Sequence, residues 1–221
     1  MSPTIIVSYD GTPNDDDALA LGQMLAKSGA SLALAYVRHS REFDPRREEL
    51  AQHDAERRLE QGAHWLGAPD TPRHVVISRS TGEGLEQLAE REGAAVIVFG
   101  SDYRTPPGHA EPGNTAQHLL DGAAVAIAVA AAGLRTEKDP AIGSITVTGA
   151  EADHATTHTA QALAEKIGAS VRNGDEPSAD LIIVGSPGPE GRVGLSGATR
   201  SQLNAARGSV LVVPHHKPVE L

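Results

Sequence analysis

Short unbroken apolar runs alternate with stretches of helical spacing along the whole chain. Residues 4–8, 31–37, 74–78, 95–99 and 125–130 are runs rich in Val, Ile, Leu and Ala, bounded by turn residues, and each reads as a buried strand. The helices predicted between them cover 15–27, 46–66, 84–92 and 114–120, with Asn14 as the first cap and Gly29 and Gly93 as stops. The long second helix places Leu50, Ala55, Leu59, Ala63 and Leu66 on one face. Alternating strands and helices of this kind build an α/β fold, a doubly wound parallel five-stranded sheet of order 3-2-1-4-5. A ligand would then sit beyond the carboxyl ends of the strands at the switch point between strands one and four. Asp10 and Gly100 are predicted to flank that crevice.

The second half repeats the first. Val-Ile-Val-Phe-Gly100-Ser101 corresponds to Leu-Ile-Ile-Val-Gly185-Ser186, and Gly113-Asn114 to Ala198-Thr199, at a constant offset of 85. Nearer the start, Gly149 aligns with Gly11 and Leu163 with Leu25 at an offset of 138. The two offsets differ by 53, so the middle of the second copy lacks about 53 residues. The missing stretch matches the long helix, the third strand and most of the next helix, and leaves 169–172 as a short strand. Two unequal units are therefore expected, 1–134 and a reduced copy over 143–214, joined by a linker over 132–143.

Composition removes several classes. A formal charge of -10 argues against nucleic acid, which calls for a basic face. With no cysteine there is no disulfide or thiolate chemistry, which suits a cytosolic chain. Met1 leads almost directly into a strand, so no signal peptide is expected, and the apolar stretch 123–134 is too short to span a bilayer. Six aromatic residues leave the core to aliphatic side chains, as in buried parallel strands.

A strand ending in Gly-Ser, a flexible loop and a helix start can hold phosphate, because glycines let backbone N–H groups approach the anion and the helix dipole favours it. The second copy reads Gly185-x-x-Gly188, nine residues, Ala198-Thr199; the first reads Gly100-x-x-Tyr103, nine residues, Gly113-Asn114-Thr115. With the Ser-Tyr-Asp10-Gly11-Thr opening and the Gly-Asn-Thr-Ala-Gln-His-Leu-Leu stretch, this resembles the universal stress protein family, in tandem form, within the adenine-nucleotide alpha hydrolase-like superfamily. The resemblance implies an adenine nucleotide, ATP with magnesium, held by Gly-x2-Gly-x9-Gly-(Ser/Thr). It also implies an acid after strand one and an apolar residue after strand two on ribose and adenine, by position Asp10 and Val37. It further implies that the last strands of the halves, 125–130 and 210–213, meet as an intramolecular pseudo-dimer that could pair again.

Each copy departs from that pattern. In the first, Tyr103 replaces a glycine, Pro106, Pro107 and Pro112 remove N–H donors, and Asp102 and Glu111 add negative charge. The second keeps its loop glycines, Thr199 and Arg192, but has Thr148 in the place of Asp10. Asp10 also reads as a turn residue in Asp-Gly-Thr-Pro, and Gly185, Gly188 and Thr199 as an inherited loop with helix capping.

Other groups have plainer readings. Asp15, Asp16 and Asp17 suit a helix start through the dipole. His154 and His158 are spaced i, i+4 beside Asp153 but lack a third ligand in sequence. His215-His216 is expected in a mobile tail, with only adventitious metal contact, and Trp65 is expected to pack on a helix face. Ser101 and Ser186 lie outside a nucleophile elbow. The favoured function is therefore a stress-associated, ATP-binding regulatory protein of a bacterial cytosol, without efficient catalysis and acting on a protein partner the sequence does not name. The alternative is a nucleotide-free scaffold of the same family; a hydrolase or transferase of the wider superfamily has no positive support.

Overall fold

The computed structural model describes residues 3–39, 41–149, 152–174 and 178–221. In the first half, β1 (Thr4–Ser8), β2 (Ser31–Arg38), β3 (Arg73–Ile77), β4 (Ala94–Phe99) and β5 (Ala126–Val129) pair in parallel in the order β3-β2-β1-β4-β5. Helices α1 (Pro13–Ala26), α2 (Pro45–Trp65), α3 (Thr81–Glu92) and α4 (Asn114–Leu120) connect them. The second half holds β6 (Ser144–Thr148), α5 (His154–Ile167), β7 (Ser170–Asn173), β8 (Ser178–Gly185), α6 (Gly197–Ala205) and β9 (Arg207–Val213). Its order β7-β6-β8-β9 repeats β2-β1-β4-β5, with no counterpart of β3.

The halves share one nine-stranded sheet. β5 runs antiparallel to β9, with Ile127 opposite Val212, Ala128 opposite Leu211 and Val129 opposite Val210. Both apolar layers cross this seam. One joins Ile5, Leu21 and Leu59 to Ile145, Leu163 and Leu211; the other joins Ile6, Leu85 and Ile127 to Ile182, Leu203 and Val212. Burying both faces accounts for the unbroken Val/Ile/Leu strands.

Several local details differ from the sequence expectation. α1 begins at Pro13 and is capped at Thr12, whose N–H and hydroxyl both donate to the Asp15 carboxylate, at 2.9 and 2.8 Å. Proline suits a first helical position and Asp15 completes the reciprocal cap, so Asn14 is left for another role. α2 is capped by Asp44 and α3 by Ser80, each upstream of the expected start. On α2, Ala55, Leu59 and Ala63 are buried, but Leu50 is 66% exposed and Trp65 39%: the apolar stripe is covered only over the middle and end of the helix. The 132–143 connection is packed rather than loose, with Leu134 and Ile142 in the core. The chain after β9 is docked too, since Val219 and Leu221 are buried and the Val219 N–H donates to Thr159 Oγ1 at 2.9 Å. No described helix is long and apolar enough to cross a membrane.

Candidate functional site

At the crest of the first half, β1 runs into Tyr9, Asp10 and Gly11. The Asp10 N–H donates to Asp15 Oδ2 at 3.0 Å, and its carbonyl accepts from Arg58 Nη1 at 2.9 Å. Desolvation, and then the Asp15 carboxylate, push the Asp10 pKa up against the weaker pull of Arg58 and His39. Burial, and then Asp16, push the Tyr9 hydroxyl up to about 12. The three acids therefore divide their roles: Asp15 caps α1, Asp16 accepts from Tyr9, and buried Asp17 accepts from the Gly133 and Arg135 amides and the Arg135 guanidinium. Nothing in the sequence pairs Asp17 with a residue in the linker.

Val37 lies in the core below α3, where a Cβ on Gly84 would come within 3.1 Å of its Cγ1. Gly100 packs on the first turn of α1: a Cβ there would lie 2.1 Å from the Asn14 carbonyl oxygen, and Asn14 Nδ2 donates to the Ser101 carbonyl at 2.9 Å. The space between Asp10 and Gly100 thus receives the start of α1. Arg38, buried at the end of β2, is held by Glu48 at 2.7 and 3.1 Å and by Gln52 at 3.0 Å. That cation already has a bidentate carboxylate partner.

The loop after β4 folds back on itself and on the other half. Ser101, 4% exposed, donates to the Ala130 carbonyl at 2.6 Å and accepts from the Glu111 N–H at 3.1 Å. The Gly108 N–H donates to Ala132 O, and the Gly108 carbonyl accepts from the Gly208 N–H at 2.8 Å. Gly113 sits at the cap position of α4 with open space beside it, followed by exposed Asn114 and half-buried Thr115.

The loop after β8 is built the same way. Ser186, 1% exposed, gathers the N–H groups of Gly188 and Gly194 on its hydroxyl, at 3.2 and 2.5 Å. Gly185 is in strand register with Val213. Gly188 allows a tight fold: a Cβ there would lie 2.7 Å from Arg192 O. The Val193 N–H donates to Ala123 O at 2.8 Å, and Arg192 Nη1 to Gly122 O at 2.6 Å. Thr199 is fully buried in the cap of α6, its N–H donating to Ser196 Oγ at 3.1 Å, while Ala198 is exposed. Beyond β9, His215 and His216 come beside Asp153, the cap of α5.

The ten expected binding residues lie in two separate halves, Asp10, Val37, Gly100, Gly113, Asn114 and Thr115 in the first and Gly185, Gly188, Ala198 and Thr199 in the second. Asp10 lines an open groove of about 920 Å³ with Gly11, Arg57, Arg58, His64 and Arg73. Arg192 lines another, of about 750 Å³, between α3 and the chain after β9.

A doubly wound sheet with glycine loops at its crests defines the class of protein. The model of the Universal stress protein family matches residues 1–131, more than half of the chain, and this protein belongs to that family. Among solved structures, a universal stress protein from Archaeoglobus fulgidus DSM 4304 is similar with a TM-score of 0.69 at 15% identity, over 97% of this chain and 99% of that one. A functionally unknown protein from Pseudomonas aeruginosa PAO1 is similar with a TM-score of 0.59 at 16% identity, over 97% and 93% of the two chains. At these identities the likeness is one of fold. No curated protein matches the chain.

Proposed function

We propose that the chain acts as an interaction scaffold of the universal stress protein family, its glycine loops closing one half on the other rather than cradling a nucleotide. One observation carries this reading: the loop after β4 accepts a hydrogen bond from the entry of β9, and the loop after β8 donates one to the entry of β5. Packing also accounts for Gly100 and Gly188, and the buried Ser101 and Ser186 hydroxyls are committed to backbone partners, so no nucleophile is proposed. The partner would be a protein, and the proposed location the cytosol. Further self-association belongs to the same proposal.

The test is thermal unfolding with millimolar ATP and magnesium. A ligand present at 100 times its Kd stabilises the native state by about 2.7 kcal/mol, enough to move the midpoint by several degrees. The scaffold reading expects a flat response, and no nucleotide released from purified protein in mass spectrometry. A clear rise would overturn it.

A second reading, regulatory ATP binding at the crest of the second half, is favoured by the start of α6. Gly197 and Ala198 are exposed there, and a Cβ on Gly197 would meet nothing within 4 Å. An anion has access to that helix end. On this reading ATP raises the midpoint, and Ala198→Asp, which sets a negative charge at the same place, removes the rise.

A further inference from the structure

The chain after β9 turns sharply at His216, a non-glycine residue in the left-handed region with φ 55°. Backbone of this kind is strained for an L residue and persists where the surroundings enforce it. Here the His216 N–H donates to Asp153 Oδ2 at 2.8 Å. The turn brings the His215 and His216 rings to 3.8 Å between centroids. Asp153, His215 and His216 each bring one ligand atom to within 4.8 Å of the other two. These residues are 62 and 63 positions apart in sequence, so only the fold assembles them.

We propose that Asp153, His215 and His216 form a site for a divalent cation of the zinc class. The donor set is two imidazoles and one carboxylate, which matches such ions and leaves a fourth position for water. Tetrahedral bonds of about 2.0–2.1 Å place ligand atoms roughly 3.4 Å apart. Adjustment of the exposed His216 ring can close the set to that spacing.

Two further features fit metal binding. His215 Nδ1 lies 2.7 Å from the Gly188 carbonyl oxygen. A carbonyl only accepts, so Nδ1 donates, and in the neutral ring Nε2 is left with its lone pair, as in metal-bound histidines oriented by a second partner. Asp153 is held in place by the N–H and hydroxyl of Thr156 and by the His216 N–H. Oδ1 takes the Thr156 bonds and Oδ2 faces the histidine turn.

The site would tie separate segments together. His215 is also bonded to the loop after β8, its N–H to Arg192 O at 3.0 Å and its carbonyl to the Gly191 N–H at 2.8 Å. A bound cation would fix that loop to the start of α5, and so stabilise the seam between the halves.

The experiment uses the full chain without a histidine tag, stripped with chelator. Zinc is titrated by calorimetry, and cobalt by its visible spectrum. One equivalent is expected, with a rise in the unfolding midpoint. His215→Gln and His216→Gly should each weaken binding at least tenfold; the glycine also relieves the left-handed turn, so that variant keeps its fold. Asp153→Asn preserves the helix cap and should weaken binding as well. A His154→Ala/His158→Ala double variant should bind as the parent does. The proposal fails if neither ion binds at micromolar concentration, or if binding survives both His215→Gln and His216→Gly. It fails equally if binding disappears with His154 and His158, which would mean adventitious surface chelation only.

Discussion

The Gly208 N–H donates to the carbonyl of Gly108 at 2.8 Å, and 85 positions along from Gly108 the Val193 N–H donates to Ala123 O at the same distance. Gly108 and Val193 are equivalent loop positions, and Ala123 and Gly208 equivalent strand entries, under the repeat offset. Each half therefore closes its glycine loop on the other.

Gly208→Val should break one of these closures. Gly208 has φ 135°, and a Cβ there would lie 1.8 Å from the Ala179 carbonyl oxygen. Backbone strain and the clash together should cost upwards of about 3 kcal/mol, read as a lower midpoint in urea unfolding. An unchanged midpoint would show that the entry of β9 is not held as tightly against β8 as this geometry requires.

Asp17→Ala should be among the more damaging surface-distant changes. It leaves the Arg135 guanidinium and two linker amides without their acceptor. About 3 kcal/mol is expected, the low end for half-removal of a buried ion pair, because the Arg135 side chain is 31% exposed and keeps water. Adding Arg135→Ala should recover part of the loss, and strict additivity would argue against the coupling.

Ser101→Ala and Ser186→Ala should each cost about 1–3 kcal/mol, the penalty for leaving buried backbone groups without a partner. The Ser186 change removes the acceptor of Gly188 and Gly194; the Ser101 change removes the donor to Ala130. Hydrogen exchange should quicken at the Gly188 and Gly194 amides in the first case. Equal protection in parent and variant would count against the arrangement.

Asp10 carries a pH dependence of definite sign. Its folded pKa is raised above the unfolded value, so the charged form weakens the fold above the folded pKa. That penalty disappears as pH falls below the unfolded value, near 3.9. Asp10→Asn should therefore melt higher than the parent at pH 7, and the gap should close in acid. A gap that widens in acid would show that the carboxylate stabilises the fold.

By itself the sequence determined the layering and the strand order. Runs such as Ile5-Ile-Val7 and Val96-Ile-Val98 can only be buried on both faces, and with helices between them they allow few topologies. The repeat offset also pairs the strands of the second half, in the order β7-β6-β8-β9, with β2-β1-β4-β5 of the first. The caps were less legible: Thr12, Asn14 and Asp15 all suit a helix start, and only the structure shows that Thr12 and Asp15 bond each other while Asn14 reaches Ser101. The tertiary structure alone decided what the glycine loops touch. Spacing shows that Gly100 and Gly188 permit close approach, but whether the approaching atom is a phosphate oxygen or the carbonyl of Asn14 or Arg192 depends on neighbours that folding supplies. The same holds for Asp153 and His216: each is an ordinary polar residue until the turn after β9 sets them 2.8 Å apart. Periodicity records how each segment meets the core, whereas a site is made of separations across the chain.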